Sequence, residues 1–161
     1  MFYFNDKETS IGFLEIPEEI AFNIVLLGCP NNCPKCHSQH NFIITHKSKK
    51  LKKDILLNLI KKNINKITCV NFMGGDWDLR ELYINLCLIK NNFPSLKLSL
   101  YTGADNFTDY NILEYLDYIK IGHYDDKLGG LNKKTTNQKL YKKNKNNTWE
   151  DITYKFQRKN L

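Results

Sequence analysis

The sequence predicts an α/β fold of mostly parallel strands, on three observations. Apolar segments of strand length alternate with segments of helical period, no long linker or fixed-period repeat interrupts them, and the loops rich in cysteine and glycine each follow a strand. The opening FYFNDKETSIGFLEI alternates weakly and reads as a hairpin or edge strand before the first central strand at 22–28. Beyond a cysteine-bearing loop, Leu51, Ile55, Leu59, Ile60 and Ile64 recur at helical spacing through LKKDILLNLIKKNINK, the pattern of an amphipathic helix. ITCVNFM then reads as a buried strand, LRELYINLCLIKNN as a helix, LKLSLYT as a strand, NILEYL as a short helix and DYIKIG as a strand. Strands separated by helices pair in parallel through right-handed crossovers. A single domain is expected over 1–161, with its core at about 16–131. The polar tail 132–161 is expected to pack back on that core, with DITYKF as a last strand or docked across it.

At 161 residues and 42% hydrophobic, the chain is large enough to bury its own core. No apolar run approaches the length of a membrane span, so no membrane partner is expected. The formal charge of +7, with a local cluster at Lys47, Lys49, Lys50, Lys52 and Lys53, suits an acidic protein or an anionic small molecule. Nucleic acid is not expected, because arginine is nearly absent and the lysines fall on polar helix faces and the tail rather than around a base-reading motif. The chain opens without a charged-then-apolar signal and its cysteine count of 5 is odd, so a reduced, cytoplasmic compartment is expected instead of a disulfide framework.

Cys29, Cys33 and Cys36 stand in GCPNNCPKCH, directly after the first central strand. Three thiolates in one short loop can hold a metal centre and leave it one coordination position short. An open position binds and activates a substrate, whereas a closed tetrahedral site is structural. Zinc, completed by His37 or His40, is one alternative, and a loop without metal is another. Zinc ligands usually come in pairs a dozen or more residues apart, so the spacing favours iron and sulfur. Cys69 and Cys87 lie in apolar segments and read as small buried residues. In a parallel sheet, ligands gather beyond the carboxyl ends of the strands, and GCPNNCPKCH, MGGDWD, YTGAD and GHYDDKLGGLN all fall there. Gly74 and Gly75 let backbone approach a ligand closely, with Asp76 or Asp78 as cap of the following helix.

These residues resemble the radical S-adenosylmethionine enzymes, and within them the activating proteins of anaerobic (class III) ribonucleoside-triphosphate reductase. The likeness rests on GCPNNCPKCHS, FMGGDWD, LYTGAD and YIKIGHYDDKLGGLNKKTTNQKLY followed by DITYKF, and runs from about Ile16 to Phe156. The resemblance implies a partial (βα) barrel of the small radical-SAM type. It implies that Cys29, Cys33 and Cys36 ligate a [4Fe–4S] cluster whose remaining iron takes the amino and carboxylate groups of S-adenosyl-L-methionine. Lys35, Cys36 and His37 would lie along the nucleotide, and Gly74, Gly75 and Asp76, a GGD where relatives usually carry GGE, would face the methionine amino group. Ser99 and Tyr101, at the end of the third strand, are further cofactor candidates. The implied reaction cleaves the cofactor to methionine and a 5′-deoxyadenosyl radical that takes hydrogen from a glycine of the reductase, with electrons from a flavodoxin- or ferredoxin-like donor. A relative acting on a small molecule such as a deazapurine precursor, and a zinc-binding adaptor, are the other readings. The chain departs from many relatives before the cluster, where EIPEEIAFNI replaces a glycine-rich segment, and Glu15, Glu18 and Glu19 read there as a solvated turn. Trp77 reads as a packed aromatic. Asn137 and Gln138 of TTNQ gain interest only from the resemblance, as a segment for reductase docking.

Overall fold

Side-chain alternation divides the central strands between an apolar face and a polar one, and the helices follow the apolar face. The computed structural model describes residues 1–157; positions 158–161 of the expected tail lie outside the described residues. In chain order the elements are β1 (Tyr3–Phe4), β2 (Ser10–Gly12), β3 (Ala21–Val25), β4 (Lys49–Lys50), α1 (Lys53–Asn63), β5 (Cys69–Met73), α2 (Leu79–Asn92), β6 (Lys97–Tyr101), α3 (Tyr110–Tyr115), β7 (Tyr118–Ile121), β8 (Lys139–Lys143) and β9 (Trp149–Asp151). The main sheet has the order β2-β3-β5-β6-β7-β8-β9, while β1 and β4 form a separate antiparallel pair. β3, β5, β6 and β7 are parallel, and β2, β8 and β9 flank them antiparallel. The fold is mixed α/β with a mostly parallel central sheet.

Phe22, Ile24, Val70, Phe72, Leu98, Leu100 and Ile119 face one way and form the main core with Leu56 and Ile60 of α1, Leu82, Leu86 and Ile89 of α2, and Ile112 of α3. Among the described residues, α1, α2 and α3 therefore cover one face of the sheet. On α1 the buried positions are Leu56 and the expected Ile60, while the expected Ile55, Leu59 and Ile64 are only partly buried. Leu51 is buried ahead of the helix, because Lys52 is extended and the helical turns begin at Lys53. Asp78 caps α2 by accepting from the Glu81 amide at 3.0 Å, and Asp109 caps α3 through the Ile112 amide at 3.1 Å.

The tail adds two strands, β8 and β9, and of the two alternatives for DITYKF it takes the docked one: beyond Asp151 it turns into a short 3-10 helix, Thr153–Phe156, with Ile152 and Phe156 packed on the helix-free face of the sheet. Lysine-rich KLYKK forms β8 because Leu140 is buried against the sheet while its lysines stay partly exposed. One expectation needs correction: EIPEEI is not a solvated turn. Ile16 is fully buried with Ala21, Cys69, Tyr118, Leu140 and Ile152 on the face opposite the helices. The Glu19 carboxylate, 4% exposed, accepts from Thr68 Oγ1 and from the Tyr118 hydroxyl, each at 2.7 Å, and pairs with Lys97. The segment plugs the amino ends of the parallel strands. Glu18 alone keeps the expected exposure, paired with Lys142 and Lys155.

Burial pushes the Glu19 carboxyl up, but the hydrogen bonds from Lys97, Thr68 and Tyr118 outweigh it and hold the group below its ordinary 4.5. A depressed carboxyl contributes stability that is present above its unfolded value and lost as pH falls through the folded one. Glu19→Gln is therefore expected to destabilise by about 1–3 kcal/mol near neutral pH, and to lose less further stability than the wild type below pH 4.5 in urea titrations. Parallel acid limbs for the two proteins would remove Glu19 as their source.

Candidate functional site

Each parallel strand ends at the same rim, and the loops leaving that rim enclose a cavity of about 860 Å³. Its wall takes Cys29, Cys33, Cys36 and His37 from the loop after β3, Gly74, Asp76 and Trp77 from the loop after β5, and Thr102 and Gly103 from the loop after β6. The loop after β7 closes it with Gly122, Tyr124, Asp126 and Gly129 to Lys133. The helix-free face of the sheet supplies the interior: Val25, Met73, Tyr101 and Lys120 are in register across β3, β5, β6 and β7, with Asn23 one layer below.

Cys29, Cys33 and Cys36 are all half-buried free thiols. Their loop reverses direction tightly, with Asn32 and Lys35 at φ 45° and 56° and the Cys36 amide donating to the Cys33 carbonyl at 3.2 Å. Burial pushes the Cys29 thiol up, opposed by the Asn31 amide and reinforced by the negative fields of Asp76, Cys33 and Cys36. Among the described residues no group of three or more His, Cys, Asp or Glu side chains is drawn together as a metal site. The donor set nevertheless suits a thiophilic metal centre: three soft ligands share one cavity and two of them, Cys33 and Cys36, oppose ionisation of the third, a penalty that a cationic centre between them would reverse. Occupation requires the side chains of this loop to close inward.

Neighbouring loops brace the cysteine loop. Lys35 pairs with Asp126, and His37 meets Tyr124 edge to face with ring centroids 5.3 Å apart. Lys35 is thus exposed and absent from the cavity wall, while His37 forms part of it. Gly74 and Gly75, at φ 96° and 105°, occupy backbone space that side chains rarely adopt, and a Cβ on Gly74 would strike the Trp77 ring. Trp77 is packed as expected, edge to face with Phe2, and also lines the cavity. Gly75 is buried behind Gly74, where a Cβ would meet Leu26. Asp76 does not cap α2, since Asp78 does; it accepts from Thr102 Oγ1 at 2.6 Å and stays on the cavity wall. Tyr101 lines the cavity with its hydroxyl donating to the Glu15 carbonyl, and burial pushes the phenol up. Ser99 is fully buried in the sheet and does not reach the wall. Cys69 is buried, its thiol pushed up by burial, and Cys87 is half-buried on α2.

Sequence reasoning missed Lys120. Its ammonium, on a side chain 8% exposed, donates to the carbonyls of Gly122 at 2.6 Å and Thr102 at 3.4 Å. Burial lowers it to about 8, against the fields of Cys33, Cys36, Asp76 and Asp105, which act to raise it. The available signal was a lysine inside the apolar strand DYIKIG, where alternation puts it on the face of Tyr118 and not of Ile119. The TTNQ segment also acquires an internal role. Thr135, Thr136, Asn137 and Gln138 donate to the carbonyls of Leu128, Gly129, His123 and Gly122, so they hold the loop over the cavity.

A mixed α/β protein with a thiol-bearing cavity at the carboxyl ends of its parallel strands is the class that fold and site define. Comparison with family models, curated proteins and solved structures finds no match to this chain.

In the metal-free protein, Lys120 is expected to titrate near pH 8 by carbon-detected NMR of labelled lysine. Asp76→Asn, which removes a field that raises it, should move the midpoint lower. A midpoint at the ordinary 10.5 would show that the amine is hydrated rather than buried.

Proposed function

We propose that this chain is a radical S-adenosylmethionine activase of an anaerobic ribonucleoside-triphosphate reductase. The carrying observation is that Cys29, Cys33, Cys36, the Gly74–Asp76 turn and Lys120 meet around one cavity large enough for a nucleoside-sized ligand beside a cluster. Cys29, Cys33 and Cys36 would hold a [4Fe–4S] cluster, which would supply the open iron and the electron for reductive cleavage of S-adenosylmethionine and so the radical chemistry that activates a glycine of the reductase.

The remaining steps belong to the chain's own groups. Lys120 offers a desolvated ammonium to the methionyl carboxylate, and the Gly74–Gly75 backbone with Asp76 offers acceptors to its amino group. Asp76 is one methylene shorter than the glutamate of the usual motif, and its hydrogen bond with Thr102 holds it at the wall. His37 and Tyr101 border the space left for the nucleoside. The loop from Gly122 to Lys133 screens the site from water, which a reactive radical requires. Winding of β3, β5, β6 and β7 in chain order, with α1, α2 and α3 on one face, supports reading the sheet as a partial (βα) barrel. We place the activase in an oxygen-poor cytoplasm, reduced by a flavodoxin- or ferredoxin-like donor.

Electron paramagnetic resonance of anaerobically reconstituted, reduced protein is expected to show a cubane-cluster signal whose shape changes on adding S-adenosylmethionine. Cys33→Ala should abolish both signal and cofactor cleavage, and Cys87→Ala should preserve both. Tightly bound zinc with no cluster would turn the reading to an adaptor, and turnover of a deazapurine precursor without any protein partner would turn it to a small-molecule enzyme.

A further inference from the structure

Glu15 is a cavity-lining carboxylate that the activase reading leaves unused. It borders the cavity with Ser10 and Asn23, below the layer that holds Lys120. Among the described residues its Oε2 is buried with no hydrogen-bond partner. The glutamates around it are all engaged: Glu8 with His40 and Asn41, Glu18 with Lys142 and Lys155, Glu19 with Lys97, Thr68 and Tyr118. With 24 Lys and Arg against 17 Asp and Glu, cations are in excess, so an unpaired carboxylate here reflects placement and not scarcity.

Local structure holds the group where it is. The Tyr101 hydroxyl donates to the Glu15 backbone carbonyl, fixing the chain beside the cavity. β2 presents Gly12 to the carboxylate, and a Cβ there would overlap Glu15 and crowd the Asn23 amide. Asn23 is held in place by its strand neighbour Asn71, whose Nδ2 donates to Asn23 Oδ1 at 2.9 Å. A buried carboxylate oxygen with no donor is unfavourable in isolation. A charged donor on a ligand would relieve that penalty. A hard metal ion fits poorly, because it needs several oxygen ligands and usually more than one carboxylate.

We propose that Glu15, beside Ser10 and Asn23, forms a subsite for an N–H-bearing cation, an ammonium or guanidinium, on the molecule that enters the cavity. Lys120 and Glu15 then give the cavity opposite poles, one for an anionic group and one for a cationic group. The subsite lies away from the cysteine loop and needs no metal centre, so it stands or falls separately from the radical reading.

Titration of the cluster-free, nitrogen-15-labelled protein with agmatine, followed by amide shifts, tests it. Saturable shifts at Ser10, Glu15 and Asn23 are expected, with binding at least tenfold weaker in Glu15→Gln. Gly12→Ala keeps the carboxylate but displaces it, and should weaken binding in the same sense. Glu18→Gln, at an exposed carboxylate, should leave it unchanged. Absence of saturable shifts in the cavity, equal binding by wild type and Glu15→Gln, or shifts confined to exposed carboxylates would each overturn the subsite. Thermal unfolding of each variant identifies one that has lost its fold, and the other then decides the outcome.

Discussion

Register among β3, β5, β6 and β7 controls what the cavity contains. Asn23, Asn71, Ser99 and Tyr118 lie side by side, and one layer up so do Val25, Met73, Tyr101 and Lys120. Because side chains alternate with a period of two, a slip of one residue would send Phe72 and Leu100 into the cavity and Lys120 among the helices. Apolar packing opposes that slip: Phe22, Ile24, Val70, Phe72, Leu98 and Leu100 meet α1 and α2 in one core. The polar face is thus positioned by the energetics of the opposite one.

That polar face is sealed at one end and open at the other. At the amino ends of the strands, Ile16, Ile152 and Phe156 pack on Ala21, Cys69, Tyr118 and Leu140, and Glu19 satisfies Tyr118 and Thr68. At the carboxyl ends, loops take the place of a core. They are held by contacts between neighbours, Lys35 with Asp126 and His37 with Tyr124, and by the hydrogen bonds from TTNQ to loop carbonyls. The Lys35–Asp126 pair is largely exposed and contributes little stability, so loop order at the rim depends more on the hydrogen bonds behind it. An arrangement rigid below and lightly tied above suits a site whose three thiols must still draw together around a metal centre.

Charge inside the cavity is unevenly distributed. The fields of Asp76, Cys33 and Cys36 oppose ionisation of the Cys29 thiol, and Lys120 lies close enough to sense Cys33, Cys36 and Asp76. The cation is kept by carbonyls of Thr102 and Gly122 rather than by a carboxylate, which leaves its charge uncancelled. Low-dielectric surroundings strengthen such fields and make uncompensated groups costly, so cavities of this kind gain most from a ligand with matching charges.

Much of the fold was legible from pattern. LRELYINLCLIKNN is α2 from Leu79 to Asn92, ITCVNFM contains β5 and DYIKIG contains β7, because long amphipathic periods and bounded apolar runs depend mainly on local spacing. The cysteine loop and the GGD turn were equally legible, since a motif's spacing is itself sequence. Only tertiary structure decided the rest. KLYKK is a strand because an existing sheet edge offered it partners, and EIPEEI is buried because Thr68, Lys97 and Tyr118, far off in the chain, meet Glu19. Lys120, Glu15 and Ser99 look alike on paper as polar residues in strands or turns. Which of them lines the cavity depends on register and on what packs above each side chain, and both are long-range properties that no local window of sequence contains.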